Sequence, residues 1–216
     1  MIQTKNLSIR FADGSGIRYR DMTFDDGRSY ALLGASGCGK TTFLNLLSGL
    51  LTPAEGSVLV DGRDIAALSP RERDRFRIHR VGYIFQDFKL LEELTVQDNL
   101  DVLRLEGVDT SDMDTLLDRL GILRLKRRRV RRLSGGEKQR VAIARALIKK
   151  PAIILADEPT GNLNFETGAA VVQTLLDNAG GGTLIAVTHD DRLAPRFDEA
   201  LDMNGIASWR SGREAE

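Results

Sequence analysis

Residues 34–41 of the chain read Gly34-Ala35-Ser36-Gly37-Cys38-Gly39-Lys40-Thr41 and match the spacing G-x-x-x-x-G-K-[ST]. They follow a strand predicted over residues 29–33 and precede apolar residues at helical spacing over residues 40–50. The glycines allow backbone N–H groups to turn inward, and the N-terminus of the following helix adds positive partial charge. The stretch therefore predicts a cradle for polyphosphate, which we call the phosphate loop. Lys40 would neutralise the β- and γ-phosphates, and Thr41 would offer its hydroxyl oxygen to Mg²⁺.

A glycine-rich turn that binds nothing is the alternative interpretation of this motif. The predicted strand before it and the predicted helix after it favour phosphate binding, because the motif works only in that context. Cys38 is interpreted as a small residue accepted at the tip of the loop for its size, with a reactive thiol near a helix N-terminus as the alternative.

The composition excludes several classes of protein. Of the 216 residues, 31 are basic and 31 are acidic, so no overall field attracts nucleic acid or an anionic membrane. One cysteine and two histidines cannot build an internal disulfide or a four-ligand zinc site. The first residues lack the apolar core of a signal peptide, and no run approaches the ~18 apolar residues of a membrane helix. We therefore expect a soluble, cytoplasmic globular domain.

Hydrophobic periodicity predicts an α/β architecture. In the N-terminal part of the chain, short apolar runs alternate with Asp-Gly turns, which is typical of strands and hairpins. Residues 95–125 have helical periodicity without a strand pattern, which predicts an inserted helical lobe over residues 88–134. Buried-type strands over residues 152–156 and 183–187 flank a helix near residues 167–176, and this order indicates a parallel sheet.

Four residues that end predicted strands are candidates for the chemistry of nucleotide hydrolysis. Asp157 and Glu158 follow a buried strand, at the edge where parallel sheets bind ligands. Because adjacent residues of an extended chain point to opposite sides, we assign Asp157 to Mg²⁺ and Glu158 to the general base. Gln86 follows a strand predicted over residues 81–85 and offers an amide oxygen to metal or water, and His189 follows residues 183–188 and offers a donor to the γ-phosphate. A solvated turn before Pro159 is the alternative for the carboxylates, and a structural role is the alternative for the other two residues.

A second glycine-rich turn opens a helix at Leu133-Ser134-Gly135-Gly136-Glu137. Ser134 is placed to cap this helix, and the glycines prepare its N-terminus for an anion. We call residues 134–136 the second cradle. One nucleotide does not need two cradles, so the second holds either a different ligand or the nucleotide of another copy of the chain. The latter predicts a dimer.

Taken in order, these motifs resemble those of the nucleotide-binding subunits of ATP-binding-cassette (ABC) transporters over nearly the whole chain. The matching segments are the Walker A loop at Gly34 to Thr42, the Q-loop at Gln86, the signature at Leu133 to Gln139, Walker B at Ile153 to Glu158, the D-loop at Gly161 to Asn164 and the switch histidine at His189. The resemblance implies that two subunits sandwich two ATP molecules, so that Ser134, Gly135 and Gly136 contact nucleotide held by the partner. It also implies that Phe11 stacks on adenine, with core packing as the alternative role for this ring.

The family resemblance implies an α/β fold of the P-loop NTPase type. The expected cassette has a mainly parallel sheet core, an N-terminal antiparallel β subdomain and an inserted helical subdomain. Residues 1–216 would form one domain, with residues 1–87 and 135–216 as core and residues 88–134 as helical subdomain. ATP and Mg²⁺ are the expected ligands. A second copy of the chain and an integral membrane permease subunit are the expected partners, at the inner face of the cell membrane, and stable nucleic-acid binding is not expected.

Residues 81–91 and 156–163 most resemble bacterial ABC ATPases of lipoprotein release, macrolide or antimicrobial-peptide export and cell-division signalling. Asn164 departs from the aspartate usual in this family, which keeps open an ATP-binding regulator with weak hydrolysis. A non-transport ABC ATPase acting on nucleic acid is a further alternative. The basic run at residues 126–132 is compatible with a solvated face, an acidic partner or membrane surface, or nucleic acid. Trp209 is interpreted as a surface or docking aromatic.

Overall fold

Two β-sheets form the framework of the protein in a computed structural model that describes residues 1–161 and 163–210. The strands, in chain order, are β1 (Ile2–Arg10), β2 (Gly16–Tyr19), β3 (Met22–Phe24), β4 (Ser29–Leu33), β5 (Glu55–Val60), β6 (Arg63–Asp64), β7 (Val81–Ile84), β8 (Ile153–Asp157), β9 (Thr183–Thr188), β10 (Glu199–Asp202) and β11 (Ala207–Arg210). The α-helices are α1 (Lys40–Leu47), α2 (Pro70–Arg80), α3 (Val96–Asp101), α4 (Met113–Arg119), α5 (Gly135–Leu147) and α6 (Phe165–Asn178). Within the described residues, no helix is both long and apolar enough to cross a membrane.

The parallel sheet has the strand order β10-β4-β9-β8-β7 and is covered on both faces. Alternate residues of β8 face opposite sides: Ile154 packs in the cluster that contains α5 and α6, and Leu155 packs in the cluster that contains α1. All five residues of β8 are buried, which is the pattern of a central parallel strand. The predicted parallel core is confirmed.

The antiparallel sheet has the order β11-β2-β1-β5-β6, with β3 pairing separately with β1. The predicted N-terminal hairpins account for β1, β2 and β3. The C-terminal strand β11 was not predicted, and it extends the sheet by pairing with β2, with Trp209 opposite Ile17. The two ends of the described chain therefore meet in one sheet.

The phosphate loop follows a strand of the parallel sheet and packs against the antiparallel sheet. Tyr19, on β2, donates a hydrogen bond from its hydroxyl to the Gly39 carbonyl at 3.0 Å, and its ring lies 5.0 Å from that of Phe43 on α1. Gly39 has a φ of 100° and immediately precedes α1. The loop and the start of α1 therefore pack against the antiparallel sheet.

Residues 88–134 contain α3, α4 and short 3₁₀ turns, with one isolated bridge between Thr95 and Arg129. Thr95 caps α3 in a capping box with Asp98, and Leu100 and Leu117 are buried in the cluster that contains α5. The predicted helical character of this segment is confirmed, although the helices are shorter than the continuous periodicity indicated. The exact subdomain boundaries stay a prediction.

Helix α2 is an element that periodicity did not reveal. It has no buried residue, so no apolar stripe marks it. Its start carries a capping box between Ser69 and Glu72, with Pro70 at the first helical position. These three residues were the available signal.

Replacing Gly39 with alanine is expected to destabilise the protein more than replacing Gly37. The φ values are +100° at Gly39 and +81° at Gly37, so both alanines carry a left-handed backbone cost of about 1–2 kcal/mol. A Cβ at Gly39 would lie 2.9 Å from Ile17 Cδ1 and 3.1 Å from the Tyr19 hydroxyl, whereas one at Gly37 would meet nothing within 4 Å. Overpacking adds ~1–3 kcal/mol at Gly39 alone. Urea unfolding of the nucleotide-free variants measures both costs, and equal losses would contradict the tight packing of the loop against β2.

Candidate functional site

Four neighbouring parallel strands end at one pocket of about 550 Å³. β4 leads into the phosphate loop, β7 is followed by Gln86, β8 ends at Asp157 and β9 is followed by His189. Because the strands run in the same direction, their carboxyl ends meet at one edge of the sheet. The pocket is lined by Ser36, Gly37, Gly39, Lys40, Thr41, Thr42, Gln86, Glu158, His189 and Trp209. Residues far apart in the sequence are thereby brought around one space.

Lys40 places a buried cation inside the phosphate loop. Its side chain is 6% exposed, and its ammonium donates hydrogen bonds to the carbonyls of Gly34 at 2.7 Å and Ala35 at 2.8 Å. The same Nζ lies 4.0 Å from Glu158 Oε1. Cys38 lies behind this cation, partly buried against the core, with its Sγ 3.9 Å from Nζ. The ammonium therefore fixes the shape of the loop from within.

Thr41 and Asp157 form an oxygen-rich corner of the site. Thr41 Oγ1 donates to Asp157 Oδ1 at 2.9 Å. Burial raises the pKa of the Asp157 carboxyl, although this hydrogen bond opposes the rise. A divalent cation beside the carboxylate would favour its ionised form.

The donor set fits Mg²⁺ bound together with phosphate. Mg²⁺ prefers hard oxygen ligands and is usually held by one or two carboxylates plus substrate phosphates. The described part of the chain contains no group of three or more His, Cys, Asp or Glu side chains that could hold a metal. A hydroxyl and a carboxylate beside a phosphate loop thus suit an ion that arrives with nucleotide better than an all-protein metal cage.

Glu158 leaves β8 in a left-handed backbone conformation with a φ of 46°. Its N–H donates to the Val187 carbonyl at 3.1 Å, and its carbonyl accepts the Gly161 N–H at 3.1 Å. The two carboxylates contact different partners, as the sequence predicts: Asp157 bonds Thr41, and Glu158 contacts His189 and Lys40. The cause is the turn at Glu158 and not strand alternation, because Glu158 lies beyond the end of β8. A non-glycine residue in this region costs about 1–3 kcal/mol, and such strain is concentrated at functional sites.

His189 and Lys40 hold the Glu158 carboxylate from two sides. His189 Nδ1 lies 2.6 Å from Glu158 Oε2, while Lys40 lies on the Oε1 side. An ionised carboxylate can only accept, so Nδ1 is the donor, and the other ring nitrogen, Nε2, takes no part in this bond. The Glu158 side chain is 13% exposed and the His189 ring is 62% exposed. A partly desolvated carboxylate is therefore oriented at the edge of the phosphate space.

The second cradle lies outside this pocket. Ser134 caps α5 in a capping box: its Oγ accepts the Glu137 N–H, and its own N–H donates to the Glu137 carboxylate at 2.9 Å. The bonds that the backbone N–H and the hydroxyl of Ser134 donate to the Glu137 carboxylate hold the pKa of Glu137 below its usual range. Ser134 and Gly135 are exposed, and residues 134–136 are not among those lining the pocket. The cradle is preformed, yet it does not face the phosphate loop of its own chain.

Asn164 caps the N-terminus of α6. Its side-chain oxygen accepts the Thr167 N–H at 2.9 Å. Aspartate would make the same bond, so asparagine keeps the cap and removes only a negative charge. Asn162, which belongs to the same predicted D-loop, lies outside the described residues.

Phe11 and Trp209 form an aromatic pair beside the pocket. Their ring centroids are 5.8 Å apart and their planes differ by 19°, so they stack. Phe11 is partly buried against the core, whereas Trp209 is 53% exposed and lines the pocket. Sequence reasoning missed the position of Trp209 because its strand pairs with β2, almost 200 residues earlier in the chain.

The basic run at residues 126–132 is paired in part within its own segment. Lys126 Nζ lies 2.5 Å from Asp114, and Arg131 lies 3.1 Å from Glu93. Val130 in the middle of the run is fully buried. These contacts favour a solvated face with internal ion pairs, and the other two interpretations stay open.

Comparison with known proteins gives consistent likenesses. The sequence profile of the family described as ABC transporter matches residues 18–161. An uncharacterised ABC transporter ATP-binding protein of Mycobacterium tuberculosis is 39% identical over 216 residues, covering 95% of this chain and 87% of the relative. The lipoprotein-releasing system ATP-binding protein LolD of Syntrophus aciditrophicus is 40% identical over 214 residues, covering 94% of this chain and 96% of the relative. A solved dimeric ATP-binding cassette in a post-hydrolysis state with ADP and Pi has a TM-score of 0.84 and 30% identity over 100% of both chains.

These likenesses agree with the geometry of the pocket. They favour the transporter ATPase over the nucleic-acid ATPase and the weakly hydrolysing regulator, since the matching proteins are ABC transporter cassettes. The chain belongs to the ABC transporter family, and it is an ATP-binding subunit that hydrolyses ATP.

Proposed function

We propose that this subunit works as an ATP-dependent homodimer, in which the phosphate loop of one copy and the second cradle of the other enclose each ATP. The observation that carries this proposal is the exposed position of the second cradle, a capped helix N-terminus outside the pocket of its own chain. Such an N-terminus attracts anions through its N–H groups and dipole. The dimeric cassette with ADP and Pi, which is similar over its whole length, supports this arrangement.

In this proposal the phosphate loop binds the phosphates of ATP before hydrolysis. Lys40 neutralises the terminal phosphates, and backbone N–H groups of the loop surround them. The residues proposed to contact nucleotide through this loop are Gly34, Ser36, Gly37, Cys38, Gly39, Lys40, Thr41 and Thr42. Thr41, Asp157 and Gln86 are proposed to hold Mg²⁺, which when bound neutralises charge on the phosphates. Ser134, Gly135 and Gly136 contact the γ-phosphate of ATP bound to the partner.

Glu158 is proposed to take the proton from the attacking water. Its carboxylate is held by His189 on one oxygen and faces the Lys40 ammonium at 4.0 Å on the other. Water placed between this carboxylate and the γ-phosphate would lose its proton to Glu158 as its oxygen bonds to the γ-phosphorus. The bond from that phosphorus to the β–γ bridging oxygen breaks, so the products are ADP and phosphate. His189 orients the base through Nδ1 and, when its ring is protonated, donates from Nε2 to the γ-phosphate. Phe11 is proposed to stack on adenine, with core packing as the alternative role of this ring.

The work of the dimer is proposed to be done on a membrane partner. LolD relatives are named for a lipoprotein-releasing system, and the similarity to them extends over most of the chain. We infer that ATP-driven closure moves an integral membrane permease or a mechanotransmission subunit at the inner face of the cell membrane. Lipoprotein or peptide handling, export, or cell-division signalling is the corresponding class of process.

The Glu158→Gln variant is expected to bind ATP and accumulate as a dimer while hydrolysing it about 10²–10⁴-fold more slowly. The amide keeps the shape of the side chain but cannot accept the proton. ATP binding is therefore retained, whereas hydrolysis is slowed. Phosphate release measures the rate, and light scattering behind a size-exclusion column measures the dimer.

A matched control is Glu106→Gln, which makes the same chemical change at an exposed residue of the helical segment. It is expected to hydrolyse ATP at the wild-type rate and to show no stable dimer. Wild-type hydrolysis by Glu158→Gln would remove Glu158 from the role of base.

The Gly135→Asp variant is expected to prevent ATP-dependent dimerisation without weakening ADP binding to the monomer. A Cβ at Gly135 would have ordinary contact, 3.6 Å from Leu163 Cδ2, so the side chain fits the fold. Its carboxylate would repel the γ-phosphate of the partner's ATP. The isosteric neutral variant Gly135→Asn should retain more of the dimer than Gly135→Asp. Sedimentation of both variants in the Glu158→Gln background tests this, and equal dimerisation would contradict a phosphate at the second cradle.

A further inference from the structure

We infer that Arg145 is a positioning residue for Gln86, because it holds the backbone turn that directly follows Gln86 in a strained conformation. Arg145 belongs to α5 and is not among the residues that line the pocket. Its role rests on the proposed function, in which Gln86 helps to hold Mg²⁺. Arg145 therefore acts on the reaction through the backbone of another segment.

The turn after Gln86 contains two successive residues in the left-handed region. Phe88 has a φ of 60° and Lys89 has a φ of 47°, and they are the only adjacent pair of non-glycine residues with positive φ in the described part of the chain. This conformation is unusual for a bulky residue such as phenylalanine. Backbone strain of this kind persists only where the surrounding structure holds it in place. The turn therefore needs an anchor.

The guanidinium of Arg145 is that anchor. Its Nη2 donates to the Phe88 carbonyl at 2.8 Å, and its Nη1 donates to the Lys89 carbonyl. A guanidinium presents its N–H groups in a fixed planar fork, whereas the ammonium of a lysine is a point charge without that geometry. Arg145 is partly buried, and desolvation lowers the pKa of its guanidinium. The two carbonyl dipoles compensate for the lost water, so the arginine and the turn stabilise each other.

Helix α5 also packs closely against the strand that leads to Gln86. A Cβ at Gly82, on β7, would lie 2.9 Å from the carbonyl oxygen of Ala146, the residue after Arg145. β7 ends at Ile84, so the strand ladder does not extend to Gln86. The strand before Gln86 and the turn after it are therefore both supported by the same part of α5.

The position of Gln86 between these two supports brings its side chain to the pocket. Gln86 lines the pocket together with Glu158, and its Nε2 lies 3.5 Å from the position of a Cβ on Gly161. Relaxation of the turn to right-handed backbone would redirect the chain just after Gln86. Loss of the Arg145 fork is therefore expected to displace Gln86 without changing any group of the phosphate loop.

Arg145→Lys is expected to reduce the gain in ATP affinity that Mg²⁺ provides by about tenfold, a typical effect of losing a residue that orients a metal ligand. ATP affinity in EDTA should stay within about twofold of wild type, because the phosphate loop is intact. Calorimetry of ATP binding with Mg²⁺ and with EDTA, in the Glu158→Gln background, measures the gain without interference from hydrolysis. Arg77→Lys is the matched control: it changes an arginine that donates to the Gly49 carbonyl at 2.7 Å, and it should leave the gain unchanged.

Glycine in the turn is expected to restore the gain that Arg145→Lys loses. Glycine adopts positive φ as readily as negative φ, so Lys89→Gly removes much of the need for the anchor. The double variant Arg145→Lys/Lys89→Gly should return to within about threefold of wild type. Lys89→Ala removes the same exposed side chain but keeps a Cβ, and it should give no such rescue. Restoration by glycine alone distinguishes a held turn from a general contribution of Arg145 to the fold.

Lys89→Val perturbs the same turn while leaving Arg145 in place. A β-branched residue at positive φ is a genuine outlier, so valine should also reduce the Mg²⁺-dependent gain. The Lys89 side chain is 62% exposed, so the fold should accept this change. An unchanged gain in Lys89→Val would contradict the link between the turn and Mg²⁺, even if the Arg145 variants failed to fold.

Combination with Gln86→Ala shows whether Arg145 acts through Gln86. Gln86→Ala is expected to reduce the gain on its own, and Arg145→Lys should then add less than about twofold, because both changes remove the same contact. Three results would overturn the inference and leave the proposed ATP site in place: an unchanged gain in Arg145→Lys, equal effects of glycine and alanine at Lys89, or additive losses with Gln86→Ala. An unchanged gain in Gln86→Ala would instead remove Gln86 from the proposed Mg²⁺ ligands, and the role of Arg145 with it.

Discussion

The site depends on one buried cation. The Lys40 ammonium is withdrawn from water and is stabilised by two carbonyl oxygens of the phosphate loop and by the nearby Glu158 carboxylate. Removing an ammonium from water is costly, and a buried charge persists only where dipoles or opposite charge surround it. The loop carbonyls supply part of that compensation and in doing so define the curve of the loop. Phosphate oxygens would supply the rest, so the same charge that shapes the loop also draws the ligand to it.

The remaining polar groups reach this cation because of strand order in the sheet. β4, β9, β8 and β7 are successive neighbours in space although they are scattered along the chain. Their parallel directions bring the phosphate loop, His189, Glu158 and Gln86 to one edge. The direction of each side chain is then set by the local backbone, as at the left-handed turn of Glu158. Long-range topology sets which residues meet, and short-range geometry sets what they can do.

The parts that the sequence predicted are those with local causes. The phosphate loop carries its own glycines and charge, and β4, β8 and β9 carry continuous apolar runs. The position of Trp209 could not be predicted in the same way, because it follows from pairing with a strand at the other end of the chain. The conformation of Glu158 is likewise imposed by its bond to Val187 on β9. Helix α2 lacked the apolar periodicity on which the prediction relied, and only its capping residues marked it.

Because the site is divided between two sheets, different parts of it contribute to nucleotide affinity and to hydrolysis of the γ-phosphate. The phosphate end belongs to the parallel sheet, while Trp209, which stacks with Phe11, belongs to the antiparallel sheet. Tyr19 joins the two through Gly39. Contacts at the base are the same before and after cleavage of the γ-phosphate, so they contribute uniform binding rather than catalysis. In the proposed dimer, contacts of the second cradle would exist only when another copy is present, and they would be made to the γ-phosphate that hydrolysis releases. A single chain would then hold nucleotide, whereas the full set of γ-phosphate contacts would require association, and cleavage would remove the ligand that joins the two copies.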